Sequence, residues 1–298
     1  GGTTKFKIDD TSRVSLSNNT SFDSGLSNTV FGKSIGTIDA GTNYNTFIGQ
    51  EIAGGGTLSD ATDNTALGYY AMNTLTQGDN NVAIGSTALR FITTGSNNVA
   101  IGMQAGDAIT TDQNVVVIGR SAYSAQDTAN DAEGSSGHGS GNIAIGYQVM
   151  QSFNQVNCLR NTAIGFQAMS VGSTHDPQDS VAIGYRALQG LNDGDRNVAI
   201  GAYAGKSITT GQENMMMGKS ALLSLTTGSQ NVAIGQSAMS SADGAESYNI
   251  AIGHQTMNLV NNDSATHNVA LGNLALQNVQ TSGNVGIGRQ ALQSNTSG

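Results

Sequence analysis

Four histidines, His138, His175, His254 and His267, are the natural candidates for acid–base or metal chemistry, and their spacing argues against both. No two are closer than thirteen residues, so none forms the HxH or HxxxH pair that places two imidazoles on one zinc ion. His175 and Asp176 are neighbours, but no serine or cysteine signature surrounds them, so a hydrolytic triad has no support. Acidic residues such as Asp60, Asp63, Asp79, Asp107, Asp112, Asp193 and Asp195 fall in turns, at spacings that match neither an EF-hand loop nor a calcium-binding nonapeptide. Asp127, Asp131 and Glu133 are close enough in sequence to hold a surface calcium ion, although a solvated loop explains them as well. Gly54-Gly55-Gly56 is not followed by the Gly-Lys-Ser/Thr of a phosphate loop. Threonine pairs at 93–94, 110–111, 209–210 and 226–227 could line up as a flat hydroxyl array of the kind that binds ice. The single cysteine, Cys158, excludes an internal disulfide and reads as a small buried hydrophobe. No catalytic residue, metal ligand or cofactor site is expected.

Composition narrows the partners. The chain of 298 residues carries 12 Lys+Arg against 21 Asp+Glu, a formal charge of −9, and no basic block. Nothing is available to neutralise phosphates, so nucleic acid is not an expected partner. The longest apolar runs, such as Val115 to Ile118, have four or five residues, too short to cross a bilayer, and no membrane insertion is expected. Charged residues make up only 11%, against about 25% in an ordinary soluble domain. With 40 glycines as well, the composition is unlike that of a globular enzyme.

The elements that would position any site come from an internal repeat. The phrase Asn-(Val/Thr/Ile)-Ala-(Ile/Leu)-Gly recurs fifteen times, closing on Gly32, Gly49, Gly68, Gly85, Gly102, Gly119, Gly146, Gly165, Gly184, Gly201, Gly218, Gly235, Gly253, Gly272 and Gly288. The commonest spacing is 17 residues. Each phrase reads as a short strand: Val82 and Ile84 share one face and Ala83 takes the other. Both faces are apolar, as in strands covered on both sides. After the glycine, apolar residues at +3, +4 and +7, such as Ala88, Leu89 and Ile92, suggest about two helical turns. The expectation is a parallel β-solenoid of about fifteen coils of ~17 residues, each one strand plus a short helical turn, with inward Val, Ile and Leu. At about 4.8 Å per coil it would be elongated, roughly 70 Å long.

Two columns follow from stacking. The asparagine four residues before the glycine occurs in thirteen of fifteen copies, the exceptions being Val115 and Ser180. Asn81, Asn98, Asn197, Asn214 and Asn231 are therefore expected to form a structural ladder. The small residues on the opposite strand face, Ala83, Ala100, Ala199 and Ala233 among them, leave room for close approach, and predict a face on which copies of the chain pack.

Residues 1–27 precede the repeats and read as a β-hairpin cap, leaving 28–298 as the solenoid domain. The interval between Gly119 and Gly146 is about ten residues over the period and predicts an exposed loop over 127–141; a smaller excursion covers 172–179. Asp127, Asn130, Glu133, His138, His175 and Asp176 are the candidate receptor-contact residues. The chain opens on Gly1-Gly2-Thr3-Thr4 without an initiator methionine, and residues 293–298 stop inside a coil, so a segment of a longer fibre is expected.

The Asn-Val-Ala-Ile-Gly phrase is similar to the head repeats of trimeric autotransporter adhesins. The longer form, from Asn197-Val198-Ala199-Ile200-Gly201 through Thr210-Gly211, looks more like repeats of bacteriophage tail fibres. Thr4 to Asp9 resembles the hairpin that often precedes them. The resemblance implies a left-handed β-roll of three chains, whereas the general preference of β crossovers is right-handed. It implies a non-enzymatic structural and adhesive fibre module on a virion or another extracellular surface. Its partners would be copies of itself, the rest of a fibre chain, and a host-surface glycan or protein. The alternatives are a glycan-degrading tailspike, which would need two carboxylates about 5–9 Å apart in a groove, and a monomeric ice-binding or scaffold solenoid.

Overall fold

The computed structural model describes residues 6–8, 14–16, 28–39, 41–124, 140–151, 158–170, 177–260 and 263–296. Phe6–Ile8 pairs antiparallel with Val14–Leu16, Phe6 opposite Leu16 and Ile8 opposite Val14. The chain divides into two compact units, Gly1–Gly141 and Asn142–Gly298. The division falls at the end of the long excursion before Gly146.

Each unit is a parallel β-solenoid. In the first, Thr29–Lys33, Thr46–Gln50, Thr65–Tyr69, Val82–Ile84, Val99–Ile101 and Val116–Ile118 stack in chain order, closing five coils. In the second, eight coils separate nine strands, from Ile143–Ile145 to Val285–Ile287. The fifteen phrases thus close about thirteen coils. Register follows the repeat: Val82 lies beside Val99, Ala83 beside Ala100 and Ile84 beside Ile101.

The corner glycine is dictated by backbone geometry. Gly85 has φ 134°, and a Cβ there would lie 2.5 Å from the carbonyl oxygen of Gly102 in the next coil. Glycine alone fits both constraints.

Among the described residues no helix follows the glycine, which corrects the helical turn expected from the apolar offsets. Residues at +2 and +4 take left-handed backbone angles, as in Thr87 (φ 57°) and Leu89 (φ 48°). Their amides reach other coils: Thr87 N–H donates to Tyr69 O at 2.8 Å and Leu89 N–H to Ala105 O at 3.0 Å. A helix would direct these donors four residues back along its own chain. The alternation also explains the misleading pattern, because it lets the consecutive residues Ala88 and Leu89 both point inward, fully buried.

The core is the inside of the coil. Ala83, Ala88, Leu89 and Ile92 are fully buried, and the same positions repeat in later coils as Ala233, Ala238, Met239 and Ala242. Val82, Ile84 and their equivalents face outward instead, half-buried or exposed. The strand faces are therefore inverted relative to expectation. Where a Leu89-type side chain fills the centre, the coil has room inside the strand only for a methyl group, as at Ala83 and Ala100.

Candidate interaction surface

Ala83, Ala100, Ala199 and Ala233 were expected on an intersubunit face, and the structure overturns that assignment. All four have no exposed surface within their own chain, so no second chain can reach them. The surface open to a partner is formed by the outward strand positions: in the first unit Leu67, Ile84, Ile101 and Ile118, with Thr65, Val82, Val99 and Val116 beside them. Neither column contains a charge. Ile101 and Ile118 are each 37% exposed.

In the second unit the outward face widens. Period-2 alternation carries past the corner glycine, so Tyr147, Phe166 and Tyr185 extend the rows that begin Ile143-Ile145, Thr162-Ile164 and Val181-Ile183. Their rings run as a continuous stack, with centroids 5.5 Å apart for Tyr147 and Phe166 and 5.2 Å for Phe166 and Tyr185. Tyr203 packs edge-on against Tyr185 at 5.1 Å. Sequence reasoning missed this strip, although the aromatic residue directly after Gly146, Gly165 and Gly184 was its signal.

The asparagine column lies inside. Asn81 Oδ1 accepts both the backbone N–H (3.0 Å) and the Nδ2 (3.1 Å) of Asn98, while Asn81 Nδ2 donates to Asn64 Oδ1 and to Gly95 O. Asn197, Asn214 and Asn231 repeat the scheme in the second unit. At Ser180 the hydroxyl stands in, accepting the backbone N–H of Asn197 at 3.1 Å. Val115 N–H donates to Asn98 Oδ1, but its own side chain offers no amide to carry the scheme on. These asparagines are buried and bonded to one another and to backbone carbonyls of the neighbouring coil.

The remaining chemistry-bearing residues do not converge. His254 Nδ1 contacts Asn273 Nδ2 at 3.1 Å, and His267 stacks on Tyr248 with ring centroids 4.8 Å apart. Asp127, Asn130, Glu133, His138, His175 and Asp176 lie outside the described residues. Among the described residues, no group of three or more His, Cys, Asp or Glu is placed to hold a metal ion. No helix among them is long and apolar enough to cross a membrane. Thr93 and Thr209 donate their hydroxyls to the carbonyls of Thr110 and Thr226 in the next coil, both at 3.1 Å, so these groups join coils rather than forming a free row. Cys158 is buried, as expected of a small hydrophobe.

Asp107 and Asp179 are among the acids whose affinity for protons is shifted. Burial raises Asp107 from 3.8 to about 6, against the opposing pull of Arg90. The Asp107 Oδ1 and Arg90 Nε atoms are both buried without hydrogen-bond partners. At the surface, the hydrogen bond from Arg160 holds Asp179 below its ordinary value through a two-bond contact of 2.6 and 2.9 Å. Comparison with protein-family models and with curated proteins found no match for the chain.

Proposed function

We propose that this chain is a non-enzymatic structural and adhesive module of a fibre, of the kind found in phage tail fibres or related virion or extracellular surface appendages. It works as a homotrimer whose copies meet through the outward Val/Ile columns. The observation that carries this reading is the uncharged, half-exposed apolar face repeated in register on coil after coil of each unit. Monomeric soluble proteins seldom expose long contiguous apolar patches. Copies of a chain with charge −9 would repel one another except where the contact excludes charge, as this face does. The face also has a fixed ridge spacing, and a second copy is a surface with the same spacing along its whole length. The resemblance of the repeats to trimeric fibre proteins supplies the number three.

Attachment to a host-surface glycan or protein falls to the excursions at 127–141 and 172–179, which leave the solenoid free to act as a shaft. The test is the native mass of the chain by light scattering over a range of concentrations. A mass near three times 30.4 kDa is expected. A monomer at every concentration would remove the reading.

A further inference from the structure

We propose that the aromatic strip of the second unit, Tyr147, Phe166, Tyr185 and Tyr203 with Arg186 and Lys206, binds a linear polysaccharide that carries carboxylates. This goes beyond the self-assembly proposed above and does not depend on it.

The rings are spaced 5.5, 5.2 and 5.1 Å from centroid to centroid, close to the advance of one sugar ring along an extended chain. Phe166 and Tyr185 are inclined by only 11° at that separation, an offset stack that leaves part of each ring face open. Phe166 and Tyr185 are each 39% exposed. Pyranose rings present C–H-rich faces that pack on such surfaces, with hydroxyls directed sideways to polar groups. Those groups are in place: Gln167 Nε2 donates to Gln148 Oε1 at 3.0 Å, and Arg186 Nε donates to Gln167 Oε1 at 2.9 Å. The chain of bonds fixes the guanidinium 5.1 Å from the centre of the Tyr185 ring.

Charge selects the ligand class. Arg186 and Lys206 have no carboxylate partner among the described residues, where the ion pairs involve Arg160 and Arg196 instead. Lys206 Nζ lies 5.7 Å from the centre of the Tyr203 ring. Two unpaired cations beside four aromatic rings, on a chain of net charge −9, call for an anionic partner with apolar faces. A second copy of this chain fits less well. Strip against strip would oppose like charges, and the outward Val/Ile columns carry no carboxylate to offer.

The experiment is calorimetric titration of the full chain with oligogalacturonate and with neutral cello-oligosaccharide, together with native-mass measurement. Binding of the acidic oligomer is expected, with little or none of the neutral one. At least tenfold loss is expected for Tyr185→Ala, and for Arg186→Gln and Lys206→Gln, which keep the fold because both side chains are only half-buried and neither is in an ion pair among the described residues. Salt should weaken the wild type more than the Arg186→Gln variant. Failure to bind the acidic oligomer, or unchanged affinity in the two charge variants, overturns the proposal. So does a Tyr185→Ala variant that loses native mass while still binding the oligomer, because the strip is then a chain-to-chain contact. Failure of self-assembly with intact glycan binding would instead remove only the fibre reading.

Discussion

Asn81 in the ladder uses its whole amide, two donors and one doubly accepting oxygen, so removing it leaves the next coil's backbone N–H and Nδ2 without an acceptor. A buried unsatisfied donor costs about 1–3 kcal/mol. Asn81→Ala is therefore expected to lower the unfolding free energy of the first unit by about 2–4 kcal/mol in urea titration. Asn81→Ser should cost less, because Ser180 already holds such a place with its hydroxyl. Asp107 gives a pH signature of the opposite sense to ordinary acid denaturation. Its folded value, about 6, lies above the ordinary 3.8, so the folded state holds the extra proton between these values. Stability from this group is present at the acid end and falls as pH rises toward 6. Asp107→Asn should raise the melting temperature at pH 7 and leave it nearly unchanged at pH 4. If the variant is not stabilised at pH 7, the burial of this carboxylate has no such cost.

At the scale of the coil, the left-handed positions after the glycine have to accommodate large side chains at an intrinsic cost of about 1–2 kcal/mol each. Inter-coil hydrogen bonds and buried Leu or Met side chains offset that cost, as Leu89, Leu188 and Met239 illustrate. The three glycines at the +4 position, Gly36, Gly106 and Gly205, precede the three coils whose inward strand residue is large, Phe47, Val117 and Met216. A Cβ on Gly205 would stand 2.5 Å from Met216 Sδ. Interior volume is thus shared between neighbouring coils. Gly205→Leu is expected to destabilise the second unit by about 1–3 kcal/mol through overpacking. Adding Met216→Ala should restore most of the loss, since Leu at +4 with Ala in the following strand is the arrangement at Leu89 and Ala100. Additive effects of the two changes in a thermal unfolding cycle would contradict this account.

At the scale of the molecule, stability accumulates from nearest-neighbour coil contacts, while association depends on the outward columns. The two roles separate by substitution. Ile84→Lys and Ile234→Lys are expected to keep the circular dichroism spectrum and reduce the native mass to that of one chain, whereas Ala83→Lys should unfold its coils, because the lysine enters the interior. The period, the strand positions, the glycine corners and the asparagine column were all legible in the amino-acid sequence. Each is a local chemical requirement repeated many times. The direction of the strand faces was not legible, since a strand apolar on both sides carries no sign for inside and outside. Only closure of the coil, summed over all its turns, decides that Ala83 faces in and Ile84 faces out. The helical turn was misread for a related reason: Leu89 N–H bonds to Ala105 in another coil, and apolar offsets within one coil hold no record of that partner. Local periodicity determined what repeats, and the tertiary structure alone decided which side is the core, because burial depends on where the chain returns.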